Sequence, residues 1–118
     1  MNGNATKAQK DWHQWQVDQG CIVQGGMSDG RVSVHHISGS KMKLKGVNKP
    51  GEWYTLCLAY WWHQDGRNPA ARHVNKKRFE REAGFEKELF IKSVEKYEEQ
   101  FGHKPMSEQD YQAIKDRA

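Results

Sequence analysis

The run Arg-Val-Ser-Val-His-His-Ile at 31–37 constrains this chain more than any other segment. Its β-branched residues favour an extended strand, and successive side chains on a strand point to opposite faces. His36 then shares a face with Val32 and Val34, while His35 lies on the other. Two adjacent imidazoles are held apart by the backbone itself, so they can divide two tasks. One can bind a divalent cation while the other takes a proton from water, the pairing that phosphodiester hydrolysis needs.

A cation needs more than one protein ligand, and the remaining inner histidines are His63 and His73. His63 closes the apolar run Leu-Ala-Tyr-Trp-Trp-His at 58–63, which is expected to start a buried helical turn, and His73 precedes a basic helix. Their ten-residue separation exceeds one helical turn, so they converge only if the segment 66–70 folds back. The residues leave other readings open. His36 is also compatible with a hydrogen-bonded core position, and His73 with a helix cap or flank.

Charge gives the histidines a context. Residues 41–81 hold ten Lys/Arg against three Asp/Glu, whereas the rest of the chain is net acidic. Such a block suits a polyanion, and Lys41, Lys43, Lys45, Arg72, Lys76, Lys77 and Arg78 are the candidate phosphate contacts, with a solvated basic face as the alternative. No Gly-rich phosphate loop, Ser-His-Asp order or catalytic carboxylate pair is present, and the acidic residues of 85–100 read as a solvated helix face with supporting pairs such as Glu88 and Lys92.

The 118 residues fit one α+β domain, with five Trp, four Tyr and four Phe compensating for an apolar fraction of 36%. No segment approaches the roughly 20 apolar residues of a membrane span, and no secretory signal opens the chain. With only Cys21 and Cys57, a disulfide framework is not expected, which points to the cytoplasm of a bacterial-type host. Each cysteine lies beside an expected strand, so the two either contribute to a structural zinc or remain buried thiols.

Two strands, 31–37 and 52–57, and about four helices are expected. Ala8, Trp12 and Trp15 mark a helix over 5–19 stopped by Gly20. Cys21 to Gln24 is extended and leads into turns at Gly25-Gly26 and Asp29-Gly30, and the basic Gly/Pro-punctuated segment 38–51 is a loop. The next helix starts at either Asn68-Pro69 or Asn75 and ends at Gly84. Phe90, Val94, Tyr97 and Phe101 mark a longer helix stopped by Gly102, and Ser107 caps the last, with Met106 and Tyr111 as a hydrophobic staple.

Several segments follow one another in a family's order over about residues 12–101: Gly20-Cys-Ile-Val, Val34-His-His-Ile-Ser-Gly39, Thr55-Leu-Cys57, His63-Gln-Asp-Gly66, and His73 followed by Lys77-Arg-Phe-Glu-Arg-Glu-Ala-Gly84. Together they resemble the HNH (ββα-metal) nucleases and, among them, the phage recombination-enhancement group of RecA-dependent nucleases. The resemblance implies a strand–loop–strand–helix metal finger over about 31–83 followed by C-terminal helices over about 85–118. It also implies His36 as general base, His35 and His63 as metal ligands, and His73 as a further ligand or phosphate contact. Magnesium or manganese would be the working ion, with zinc as another occupant, DNA the substrate, and the RecA nucleoprotein filament a partner. The chain departs from the family pattern in three places. Glu52 stands where the middle asparagine belongs, with Asn48 nearest to it; Trp62 replaces a paired histidine; and Gln24 replaces the second cysteine of the first knuckle. A non-catalytic nucleic-acid-binding module with a structural metal, or an adaptor using the acidic 85–100 helix, are the competing function classes.

Overall fold

The computed structural model describes residues 5–23 and 31–117, which form an α+β arrangement of one two-stranded antiparallel sheet and several helices. The elements run α1 (Lys7–Gln19), β1 (Val32–His36), α2 (Pro50–Trp53), β2 (Thr55–Ala59), α3 (Tyr60–His63), α4 (Lys76–Ala83), α5 (Glu86–Phe101) and α6 (Glu108–Arg117). The expected turns at Gly25-Gly26 and Asp29-Gly30, together with Gln24, lie outside the described residues. Six helices stand among the described residues where about four were expected: α3 is the short helical turn expected in the apolar run 58–63, and α2, also a single turn of four residues, is too short to leave a periodic signal.

Thr6 opens α1 with a capping box, its hydroxyl accepting from Gln9 N at 3.1 Å while the Gln9 side chain accepts from Thr6 N at 2.9 Å. Trp12 and Trp15 are buried and stacked with ring centroids 5.5 Å apart, and Gly20 ends the helix at φ 88°, where a side chain would be strained. The buried stripe differs from the expected one: Ala8 is exposed, and Gln9 and Gln16 lie inside. Their amides reach backbone carbonyls of the segment 48–55, which offsets the cost of burying them.

β1 and β2 pair antiparallel, with His35 opposite Leu56 and His36 opposite Thr55. The second strand is displaced from the expected 52–57. Pro50 at the first helical position winds residues 50–53 into α2, and the extended run continues instead through Leu58 and Ala59. Within the segment 38–49, Leu44 and Val47 form an isolated bridge, and Gly39 and Gly46 adopt positive φ.

Asn75, rather than Asn68-Pro69, caps the helix α4 by accepting from Arg78 N at 3.1 Å. Gly102 in the left-handed region stops α5, and Ser107 Oγ accepts from Asp110 N at 3.1 Å at the start of α6, as expected. Phe101, expected on the apolar face of α5, is exposed, whereas Phe90 and Val94 are fully buried. The core gathers Trp12, Leu56, Leu58, Phe79, Phe90 and Ile114 from five elements. Truncating one such aromatic costs about 3–5 kcal/mol, a large part of a small domain's stability, so this core is what keeps the hairpin seated among its helices. Among the described residues no helix is long and apolar enough to cross a membrane.

Candidate metal centre

Strand alternation separates His35 and His36, and each joins a different cluster of three donors close enough to hold a cation. The first is His35, His63 and His73, where one ring nitrogen from each lies within 4.8 Å of the other two. The second is His13, His36 and Glu52, grouped within the same limit.

His63 and His73 meet because the chain between them does fold back. Arg72 N donates to Trp62 O at 2.7 Å and His73 N to His63 O at 2.9 Å, which lays residues 72–73 against the end of α3. Asn68 fixes the intervening turn, donating from Nδ2 to Trp61 O at 2.8 Å and accepting from Ala70 N at 2.9 Å. Arg67 grips Asp65, whose carboxyl is pulled down to about 2 by those hydrogen bonds.

The three imidazoles form a gradient of depth. His35 is 4% exposed, His63 9%, and His73 lies at the surface. Ring centroids are 5.1 Å apart for His35 and His63, 5.2 Å for His35 and His73, and 4.7 Å for His63 and His73. Burial, with the neighbouring His35, His73 and Arg72, pushes His63 down to about 4. His73 is also lowered, first by burial and then by His35 and Arg72. Both are therefore neutral near pH 7, the form that binds metals.

Second contacts orient the rings. His63 Nδ1 lies 2.8 Å from Ser33 Oγ, and Nδ1–H donation there leaves Nε2 turned toward His73 Nε2, 3.0 Å away. His35 Nε2 donates to Glu86 Oε2 at 2.7 Å. Glu86 also accepts from Arg72 Nε at 2.9 Å. Burial opposes its ionisation, but His35 and Arg72 outweigh that and hold the carboxyl below the usual range. Carboxylate–histidine contacts of this kind are how proteins fix a metal-binding tautomer. Nitrogens around a tetrahedral ion with bonds of about 2.0–2.1 Å stand roughly 3.4 Å apart. The cluster therefore fits a small divalent ion with only small side-chain movements.

The second cluster is organised differently. His36 Nε2 donates to Glu52 Oε1 at 2.8 Å, and His13 Nε2 donates to the Glu52 backbone carbonyl at 2.6 Å. Carboxylates and carbonyls only accept, so both nitrogens facing Glu52 carry hydrogens rather than lone pairs. Burial lowers the pKa of His13, partly offset by the Glu52 carbonyl and carboxylate and reinforced by His36. The His36 side chain is 30% exposed, so one side of the ring faces solvent.

The expected phosphate contacts fall into two groups. Lys41, Lys43, Lys45, Lys76 and Lys77 are exposed, and Lys41 and Lys43 border a groove of about 420 Å³ floored by Met42, Leu44, Val47 and Pro50. Arg72 instead directs its Nε to buried Glu86, and Arg78 directs its Nε to Glu82 at 2.7 Å. Cys21 and Cys57 belong to no three-donor cluster among the described residues. Burial and the nearby Cys21 push the Cys57 thiol up to about 12. Glu86, His13 and Ser33 were not singled out by the sequence reading, and Glu52 was noted only as standing in the place of the family's middle asparagine, without a role.

No protein-family model matches this chain, and neither curated proteins nor solved structures show significant similarity to it.

Proposed function

We propose that this protein is a metal-dependent endonuclease that hydrolyses DNA phosphodiester bonds, with a ββα-metal core of the HNH kind formed by the hairpin and the elements that follow it. The supporting observation is the convergence of His35, His63 and His73, the first two buried and the third at the surface, beside a strand whose next residue, His36, keeps a side chain 30% exposed on the other face. The resemblance to phage recombination-enhancement nucleases makes the RecA filament the partner to test first.

A divalent ion held by the three histidines would supply positive charge at a non-bridging phosphate oxygen and at the departing oxygen. An all-nitrogen donor set favours manganese or zinc over magnesium, which prefers oxygen ligands. His36, with Nε2–H committed to Glu52, offers Nδ1 to accept the proton of the attacking water. In this reading a phosphate at the strand end, where β1 stops at His36, would be approached by the ion and by His36 from opposite faces of the strand. Lys41, Lys43 and Lys45 on the loop, with Lys76 and Lys77 at the start of α4, supply the sequence-independent attraction for the DNA backbone.

One observation favours a second reading. His35 is buried and tied to the Glu86–Arg72 pair, a setting that also suits an ion that only holds the fold of a DNA-binding module. Incubation of supercoiled plasmid with the protein and manganese, zinc or magnesium, with and without RecA filaments, distinguishes the two. Nicking that His36→Ala abolishes while DNA binding and metal content persist supports the enzyme. Binding with no cleavage under any of these conditions supports the module.

A further inference from the structure

We propose that Glu52 is the positioning residue of His36 and that α1 is the brace that keeps it there, an inference that rests on the reading of His36 as proton acceptor. A solitary histidine rotates about its side-chain bonds and divides itself between two tautomers. Here Glu52 Oε1 accepts from Nε2 at 2.8 Å, with the Glu52 side chain only 10% exposed. The proton is thereby fixed on Nε2, the ring orientation is fixed with it, and Nδ1 is the nitrogen left to take a proton.

Glu52 sits in α2, a single turn that has no stability of its own. The turn is held by a row of side chains on one face of α1, spaced i, i+3, i+4 and i+7. Gln9 Nε2 donates to the carbonyls of Asn48 at 3.1 Å and Lys49 at 2.9 Å. Trp12 Nε1 donates to Trp53 O at 3.0 Å, and His13 Nε2 to Glu52 O at 2.6 Å. Gln16 Nε2 donates to Thr55 O at 3.0 Å and accepts from Thr55 Oγ1 at 2.8 Å. Five backbone carbonyls from 48 to 55 are thus capped by one helix. On the opposite side Gly51 lies against the Gly39 and Ser40 carbonyls, so closely that a Cβ there would collide with both. α2 is clamped between α1 and the loop after β1, and the Glu52 carboxylate has little room to leave His36.

The hydrogen-bond directions distinguish this role from that of a metal ligand. The nitrogens that His13 and His36 turn toward Glu52 are both donors, and a cation would have to displace both bonds. His36 also keeps an open side, which a purely structural ion pair would not require.

Nitrogen NMR of the full chain labelled at histidine, combined with plasmid nicking and metal analysis, tests the proposal. In the unaltered protein the His36 ring should be a single tautomer with a protected Nε2–H. In Glu52→Gln it should become a mixture of tautomers, and kcat should fall about 10- to 100-fold while KM for DNA and metal content stay unchanged. A mixture already present in the unaltered protein overturns the proposal, even if Glu52→Gln fails to fold. So does an unchanged tautomer and kcat in the variant, or a second equivalent of manganese or zinc that the variant loses. If the unaltered protein cleaves nothing, the nuclease reading falls, while the tautomer measurement still decides what Glu52 does.

Discussion

His35 and His36 are neighbours on one strand, yet their surroundings treat the ring nitrogens in opposite ways. Around His35, Glu86 accepts from His35 Nε2, and Ser33 Oγ lies 2.8 Å from His63 Nδ1. The Nε2 atoms of His63 and His73 face each other at 3.0 Å, with one nitrogen of each of the three rings within 4.8 Å of the others. Around His36, the inward nitrogens are occupied by Glu52 and the outward side is open to solvent. The same residue type thus becomes a candidate ligand or a candidate base according to where its hydrogen-bond acceptors lie. A cluster of donors within reach of one another is not by itself a metal site; the direction of the protons decides.

Substitutions break this contrast in a definite order. The largest effect is expected from His63→Ala, which removes the central donor of the first cluster. Zinc or manganese binding by calorimetry should weaken by well over 100-fold, and plasmid nicking should vanish with it. His36→Ala comes next: nicking should fall about 10²- to 10⁴-fold with one metal equivalent still bound. Retained nicking would remove His36 from the chemistry, and lost metal would merge the two clusters into one.

Glu86→Gln should weaken metal affinity about 10- to 100-fold and leave the His36 tautomer alone, the mirror of the Glu52→Gln result. Gly51→Ala addresses the other cluster through packing. The added methyl meets the Gly39 carbonyl and, at 2.8 Å, the Ser40 carbonyl, so α2 must shift. A loss of about 1–3 kcal/mol in denaturant unfolding is expected, with reduced nicking and unchanged metal content.

The separation of His35 from His36 was legible because alternation along a strand follows from local geometry. The α+β class, the caps at Asn75 and Ser107, and the stops at Gly84 and Gly102 were legible for similar local reasons. The meeting of His63 with His73 was visible only as a condition on the intervening loop. It depends on two backbone hydrogen bonds from residues 72 and 73 that no side-chain pattern announces. Glu52 was misread because Trp53, Tyr54 and Thr55 favour strands, and that preference masked the helical start set by Pro50. Glu86 looked like one more acid on a solvated helix, although it opens α5 with its side chain facing inward. The brace had a signal that went unused: Gln9, His13 and Gln16 share the tryptophan face of α1, where polar residues need buried partners.

Lys49 gives the base of α2 a further consequence. It adopts φ 50° and ψ 57°, and it is the one non-glycine residue with positive φ among the described residues. A side chain in that conformation costs roughly 1 kcal/mol, which Gln9 helps to sustain by its bond to the Lys49 carbonyl. Asparagine tolerates the left-handed region, and unlike glycine it adds little freedom to the unfolded chain. The torsional strain beneath Glu52 is therefore a reserve that Lys49→Asn would release, raising the melting temperature without altering a single contact of either imidazole group.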